Sequence, residues 1–224
     1  MINLFVKIKM YHYKKTVFPL ETKLMGIFIS LLFLIASCNT TVNTETENLA
    51  RQKRLETKSI EALKYCTANN FDTTYCILID MSIHSGKFRF FVWDFSKNQI
   101  LDEGLCSHGS CGNIDIPKGE ELPYFSNQPG SYCSSLGKYK IGKRGVSSFG
   151  INVNYKLHGL EATNNNAFDR IIVLHSFTDL ENYEVYPDNI IESWGCPSIS
   201  DDYLRRVDTK LSNTDKSVLM WIFN

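Results

Sequence analysis

The chain has 224 residues with 24 basic and 24 acidic side chains, so its formal net charge is zero. A balanced chain without a basic stripe argues against nucleic acid as a partner. Its length suits one domain with a real core, and its seven cysteines raise thiol, disulfide and metal chemistry together.

Lys7, Lys9, Lys14, Lys15 and Lys23 precede an uncharged apolar run, Leu24 to Ile35, that ends in Ala36-Ser37-Cys38. A basic segment, a short apolar run and small residues before a cleavage point read as an export signal. The run is too short to span a bilayer comfortably, where about 20 residues are usual. Ile35-Ala36-Ser37-Cys38 resembles a bacterial lipoprotein box, which implies that Cys38 becomes the lipidated first residue and ties the chain to a membrane. Asn39 supplies no acidic retention signal, which favours an outer-membrane lipid facing the periplasm. Residues 1–37 are thus expected as a signal peptide, 38–49 as a flexible Thr/Asn-rich tether and 50–224 as the exported domain. The signal takes five lysines and one glutamate with it, leaving the exported part mildly acidic.

Residues 50–69 predict a helix with Leu55, Ile60 and Leu63 on its packed face. Strands follow at Tyr75–Ile83 and Phe88–Phe95, separated by the turn residues Ser85-Gly86-Lys87, with a further short one at Ile100-Leu101. From Ser107 to Gly137 the chain is polar and rich in Gly and Pro, a long loop of the kind that usually serves function. Short strands are expected at Tyr139–Ile141, Phe149–Val153 and Leu157–Leu160, and a helical turn at Thr163–Phe168. Arg170–His175 is nearly continuous in apolar residues and predicts a central strand. Ser200 with Asp201 and Asp202 starts a helix through Leu211, and Ser217–Phe223 forms a last strand. The fold is mainly β, with short helices at its margins.

Ser193-Trp194-Gly195-Cys196-Pro197-Ser198 places a thiol beside a glycine, and His175 leaves the apolar run Ile171–Leu174. A thiolate is the reactive form of Cys, and an imidazole can take the thiol proton and return it to a leaving group. With Cys38 assigned to lipid and Cys196 to catalysis, Cys66, Cys76, Cys106, Cys111 and Cys133 remain, an odd number. Cys106 and Cys111 are placed to close a small loop in an oxidising compartment. Cys106, His108 and Cys111 make only a three-ligand cluster at an unusual spacing, so neither a metal nor any other cofactor is expected.

Several ordered segments together resemble the murein L,D-transpeptidase catalytic-domain family (YkuD-like), over roughly residues 73–223. They are Ser107-His108-Gly109, Phe125-Ser126-Asn127, Ser134-Ser135-Leu136-Gly137 with Tyr139, Leu157-His158-Gly159-Leu160-Glu161, Asn164 and Asn166-Ala167 with Arg170, Ile172–His175, and Ser193 with Gly195-Cys196-Pro197. Trp194 stands where the broader family signature has a His, and Gly-Cys-Pro marks a distinct branch. The resemblance implies an L,D-transpeptidase-like β-sandwich or barrel, with Cys196 as nucleophile and His175 as base. It also implies that the Ser176 carbonyl holds the second ring nitrogen, that Ser193 and the backbone N–H groups at Gly195 and Cys196 orient the site and form an oxyanion hole, and that His108, Ser126, Asn127, Ser134, Ser135 and His158 line the substrate cleft. The implied partners are peptidoglycan stem peptides, with an amine as acyl acceptor. Water as acceptor would make the same pair an L,D-carboxypeptidase or endopeptidase. A non-catalytic murein-binding lipoprotein is the alternative of another class.

Overall fold

The computed structural model describes residues 45–112 and 124–224; the export signal and Cys38 lie outside the described residues. Residues 52–224 form one compact unit, and of the other, 1–51, only the start of a helix is described. This helix, α1, spans residues 45–68 and so begins inside the segment expected as tether. Its buried stripe is Leu55, Ser59, Ala62 and Cys66, spaced at the helical period. Ile60, expected on that face, is exposed, because it falls one residue beyond the stripe.

Eight strands follow: β1 Tyr75–Asp80, β2 Phe90–Asp94, β3 Gln99–Gly104, β4 Gly137–Val146, β5 Val153–Gly159, β6 Val173–Ser176, β7 Ser198–Ile199 and β8 Leu219–Phe223. They make a single sheet in the order β3-β2-β1-β8-β4-β5-β6-β7, and helix α2, Asp201–Ser212, connects β7 to β8. The last strand of the chain therefore lies in the middle of the sheet, parallel to β1 and antiparallel to β4. Its residues alternate between two cores, as the period of two in a strand requires. Met220 and Ile222 join Ile77, Ile79, Phe90 and Val92 in the larger core, which α2 closes with Tyr203, Leu204, Val207 and Leu211. Leu219, Trp221 and Phe223 join Cys76, Leu78, Phe91 and Trp93 in the smaller one, covered by α1. Arg54 of α1 is anchored to the buried Asp80 at 2.8 Å. Lys138 spans the edge of this core, its ammonium 3.9 Å from the Trp221 ring centre and 2.8 Å from Glu161.

The two ends of the sheet are joined through the segment after β3. Ser107 N–H donates to the Ser198 carbonyl at 2.9 Å, and Ser198 N–H donates to Ser107 Oγ at 3.3 Å. Ser193 N–H donates to the His108 carbonyl at 2.8 Å, and Ser110 N–H to the Ser193 carbonyl at 2.9 Å. These bonds leave a mainly β, nearly closed barrel, as the sequence implies.

Some elements differ from expectation. Phe149–Asn152 is a turn and the strand begins at Val153, because Gly150 and Asn152 adopt positive φ. Arg170–Ile172 is also a turn, with Ile171 at φ 59°, so β6 is short and lies next to the end of the sheet rather than at its centre. The expected short strand at Tyr139–Ile141 is part of a ten-residue β4 whose register shifts between Ile141 and Arg144.

Ser200 caps α2: its side chain accepts from Tyr203 N–H, and Asp201 and Asp202 occupy the first turn. Ser200→Ala is expected to destabilise the protein by about 1 kcal/mol, lowering the thermal midpoint by about 2–4 °C in a protein of this size. An unchanged calorimetric midpoint would contradict this assignment.

Candidate active site

β6 and β7 run parallel with His175 opposite Ser198, which brings the segment before β7 alongside the segment before β6. Val173 N–H donates to Cys196 Sγ at 3.4 Å, and Sγ lies 3.8 Å from the Ile171 carbonyl as its donor. Of the cysteines outside disulfides among the described residues, Cys66, Cys76 and Cys106 are buried and Cys196 alone is half-exposed. Burial pushes the Cys66 and Cys106 thiols up to about 12, so neither is a nucleophile near neutral pH.

His175 is buried, with Nδ1 2.9 Å from the Ser176 carbonyl, the contact that the resemblance implies. A carbonyl only accepts, so Nδ1 carries the proton and Nε2 presents a lone pair. Ser198 Oγ lies 3.0 Å from Nε2 and donates to it. Among the described residues, no hydrogen bond joins Cys196 Sγ to the ring; the two meet instead on the walls of the same two cavities. Burial lowers the imidazole pKa, against the opposing Ser176 contact. Burial likewise raises the Cys196 thiol, against the Val173 N–H and the nearby Arg170 and Lys156 cations. Both groups are neutral at rest, a thiol and an uncharged imidazole on the same cavity walls.

One cavity, of about 500 Å³, extends along β5 and is walled by Tyr132, Asn154, Lys156, Arg170, Ile171 and Val173. The other, of about 310 Å³, is walled by Ser107, Phe177, Ile191, Glu192, Ser193 and Ser198. Cys196, His175, Phe149 and Trp194 belong to both. Phe149 packs by the imidazole, ring centres 5.3 Å apart. Trp194 is 71% exposed and stacks on Tyr132 at 5.3 Å, so it forms a wall between the cavities rather than filling core space. None of Phe149, Tyr132, Lys156 or Ser198 carries a spacing signal in the sequence. Trp194 does, as the residue beside Gly195-Cys196.

The loop expected from Ser107 to Gly137 is irregular in its described parts, apart from a bridge at Gly109 and the first residue of β4. Cys111 bonds to Cys133, with Cα atoms 4.3 Å apart. This corrects the Cys106–Cys111 loop: Cys106 is buried beside the main core, and its neighbour in the sequence pattern turns toward Cys133 instead. It also removes Cys111 from the three-ligand cluster. Arg170 clamps the loop, donating to the Ser126 and Cys133 carbonyls at 3.0 and 2.6 Å and to Ser135 Oγ at 3.0 Å.

The polar residues expected around the cleft do other work. Ser134 Oγ accepts from Gly109 N–H, Ser135 bonds Arg170 and Tyr139, and Ser126 Oγ accepts from Gln128 N–H. Asn127 joins Ala162, Asn165 and Asn166. His108 stacks on Phe125 at 4.9 Å, and burial takes it down to about 4. His158 lines a separate cavity. None of these six lines the two cavities at Cys196. Gly195 N–H, expected in an oxyanion hole, is engaged by Ser193 Oγ at 3.1 Å. The Cys196 N–H has no acceptor among the described residues and is the donor available there.

Gly195 has φ +103°, and a Cβ there would lie 2.6 Å from the Cys133 carbonyl oxygen. Both the backbone region and the contact with main chain require glycine. Gly195→Ala is expected to lower activity at least about tenfold and to destabilise by about 1–3 kcal/mol. Wild-type turnover and melting together would refute the close packing of this loop on Cys133.

The family model described as the L,D-transpeptidase catalytic domain matches residues 47–221. No curated protein is significantly similar to the chain. Among solved structures, the helical cell shape determining protein Pgp2 of Campylobacter jejuni is 13% identical at a TM-score of 0.43, covering 66% of this chain and 47% of its own. Bd1075 of Bdellovibrio bacteriovorus is 18% identical at 0.40, covering 69% and 49%. An L,D-transpeptidase of Xylanimonas cellulosilytica is 9% identical at 0.37, covering 71% and 68%. The chain thus spans about half the length of the first two. With the family model covering most of its length, the chain belongs to the L,D-transpeptidase catalytic-domain family.

Proposed function

We propose that this protein is a cell-wall L,D-transpeptidase with Cys196 as nucleophile and His175 as base. The carrying observation is that the thiol and an imidazole of fixed tautomer open together onto two cavities. A transferase must seat two chains at one sulfur, an acyl donor and an amine acceptor, whereas hydrolysis needs room for one chain and water.

In the acylation step Cys196 Sγ gives its proton to His175 Nε2 and bonds to the carbonyl carbon of the third stem-peptide residue. The C–N bond then breaks, the imidazolium returns the proton to the departing amine, and a terminal D-amino acid leaves. An amine from a second stem attacks the thioester, loses its proton to Nε2 and expels the thiolate, giving a 3→3 cross-link. The Cys196 N–H, which has no acceptor among the described residues, is the donor offered to the developing oxyanion, where one donor is worth about 3 kcal/mol. Ser198 Oγ occupies Nε2 at rest. It either relays the thiol proton or turns aside for the thiol, and in both cases it positions the base.

The Cys111–Cys133 disulfide suits an oxidising compartment, in keeping with export and with lipidation at Cys38. The protein then works from a lipid anchor, toward the periplasm, on murein stem peptides.

Incubation of the chain with murein tetrapeptide fragments is expected to give dimers that have lost one D-amino acid, read by mass spectrometry. Tripeptide alone would reassign the protein as a carboxypeptidase, and a Cys196→Ala variant with undiminished turnover would remove the mechanism. Loss of a nucleophile or base in a unit of this kind lowers kcat by about 10⁴ or more.

The pH dependence follows from the neutral pair. Burial lowers the His175 pKa, so the ring stays unprotonated below the ordinary value of about 6.5 and protonation stops it acting as base. The acid limb of kcat/KM is therefore expected below pH ~6.5. A limb above that value, removed in a His175→Gln variant, would contradict the burial argument.

A further inference from the structure

The outer face of β5 continues past the site just described. Val153, Tyr155 and Leu157 point into the main core, so Asn154, Lys156 and His158 share the opposite face. Asn154 pairs with His175 and lines the 500 Å³ cavity at the thiol. Lys156 lines that cavity and also a third one of about 710 Å³, which His158 then enters. At about 3.3 Å per residue these three positions mark a line about 13 Å long leading away from Cys196.

The third cavity is cationic. Lys140, Lys143, Lys156 and Lys216 stand on its wall with a single carboxylate, Asp215. Arg144 also reaches it but is neutralised by Asp208 through bonds of 2.7 and 3.0 Å. No ion pair among the described residues engages any of the four lysines. His158 and Phe168 stack at 4.7 Å with planes 14° apart, and Phe168 is half exposed, so an apolar plate lies among the charges. Ammonium groups gathered in a concavity repel one another, and they focus a field that attracts anions.

We propose that this line is one anion-binding track, which holds the carboxylates of a further stretch of the murein strand while the reacting stem lies at Cys196. The assignment rests on the proposed function for the identity of the strand. Its chemistry, a flexible polycarboxylate peptide, follows from the track itself. An extended chain can pass through two cavities that share Lys156, and a flat membrane surface cannot.

The test uses the full chain carrying Cys196→Ala, so that binding is read without turnover. Its affinities for intact murein sacculi and for poly-L-glutamate are measured at rising sodium chloride, with anionic phospholipid vesicles as the alternative ligand. Lys140→Gln, Lys143→Gln and Lys216→Gln together are expected to weaken both about tenfold at ~0.1 M salt, the scale of three partly screened ion pairs. The difference should vanish toward ~1 M, where the screening length is about 3 Å. The same three positions as Arg keep the charge and should keep binding, which separates charge from damage to the fold. A control triple at the exposed Lys53, Lys64 and Lys97 should bind as the parent does.

Equal binding by the Gln triple and its parent overturns the track, as does equal loss in the control or in the Arg triple. Loss confined to anionic phospholipid vesicles, with sacculi unaffected, overturns it in favour of a lipid surface. Lysine-dependent binding of poly-L-glutamate by a chain whose wild type leaves tetrapeptide fragments unchanged would keep the track and sink the reaction instead.

Discussion

Ser198 sits where three parts of the molecule are fastened to one another. Its carbonyl and N–H bond to Ser107 after β3, its backbone pairs with His175 of β6, and its hydroxyl holds the imidazole Nε2. A two-residue strand at the end of a sheet would ordinarily be a frayed edge with unpaired backbone groups. Here the segment 107–110 bonds to 193 and 198 and closes the barrel on the far side. The loop that carries Cys196 is consequently pinned just before and just after the thiol, although it has no regular structure of its own. The placement of the Cys196 thiol depends on this closure more than on any contact made by the thiol itself.

The same closure sets the electrostatics. Desolvation of the half-exposed Cys196 thiol and of the buried His175 imidazole disfavours the charged form of each, so both groups rest neutral. Arg170 and Lys156 lean the balance back toward thiolate, but Arg170 is largely occupied in bonds to the loop carbonyls. Its guanidinium therefore acts first as a clamp, a use for which five donors in a rigid fork suit it better than an ammonium would. Lys156 has no such duty. Its charge faces the two cavities whose walls it shares.

The mainly β fold and α2 with its Ser200 cap were legible because each has a local signature; the sequence also singles out Cys196 and His175, which the fold brings to the walls of the same two cavities. Alternating apolar residues mark the strands, Ser-Asp-Asp marks the helix start, and the thiol lies beside a glycine. What was not legible comes from contacts distant in sequence. β8 is central because it pairs with β1 and β4, strands far from it in sequence, and its own residues do not say so. The apolar run Ile171–Leu174 suggests a strand buried on both faces, yet Ile171 is 69% exposed and only its later residues pair. Serines and asparagines quoted with the family resemblance hold the loop to the barrel, and residue type alone cannot separate that work from substrate binding. The Cys111–Cys133 bond depends on how the loop folds back, which spacing does not encode.

Ile171 shows how the site tolerates what a sequence rule would forbid. A β-branched residue at φ 59° is a strained conformation, of order 1–3 kcal/mol, and it persists only when its surroundings impose it. Ile171 N–H donates to the Phe168 carbonyl and Ile172 N–H to the Ala167 carbonyl, so the turn is fixed from one side. Arg170, the residue before it, is locked to the 126–135 loop on the other. The left-handed turn aims the Ile171 carbonyl at the Cys196 thiol and sends its side chain onto the wall of the cavity along β5. Tyr132, also at positive φ, stands on the wall of the same cavity, and its carbonyl accepts from the N–H of Cys111, a further residue at positive φ. Two of the left-handed residues, Ile171 and Tyr132, thus stand on the wall of the cavity at the thiol, and a relaxed strand at Ile171 would have carried its carbonyl into the sheet and left the sulfur without its acceptor.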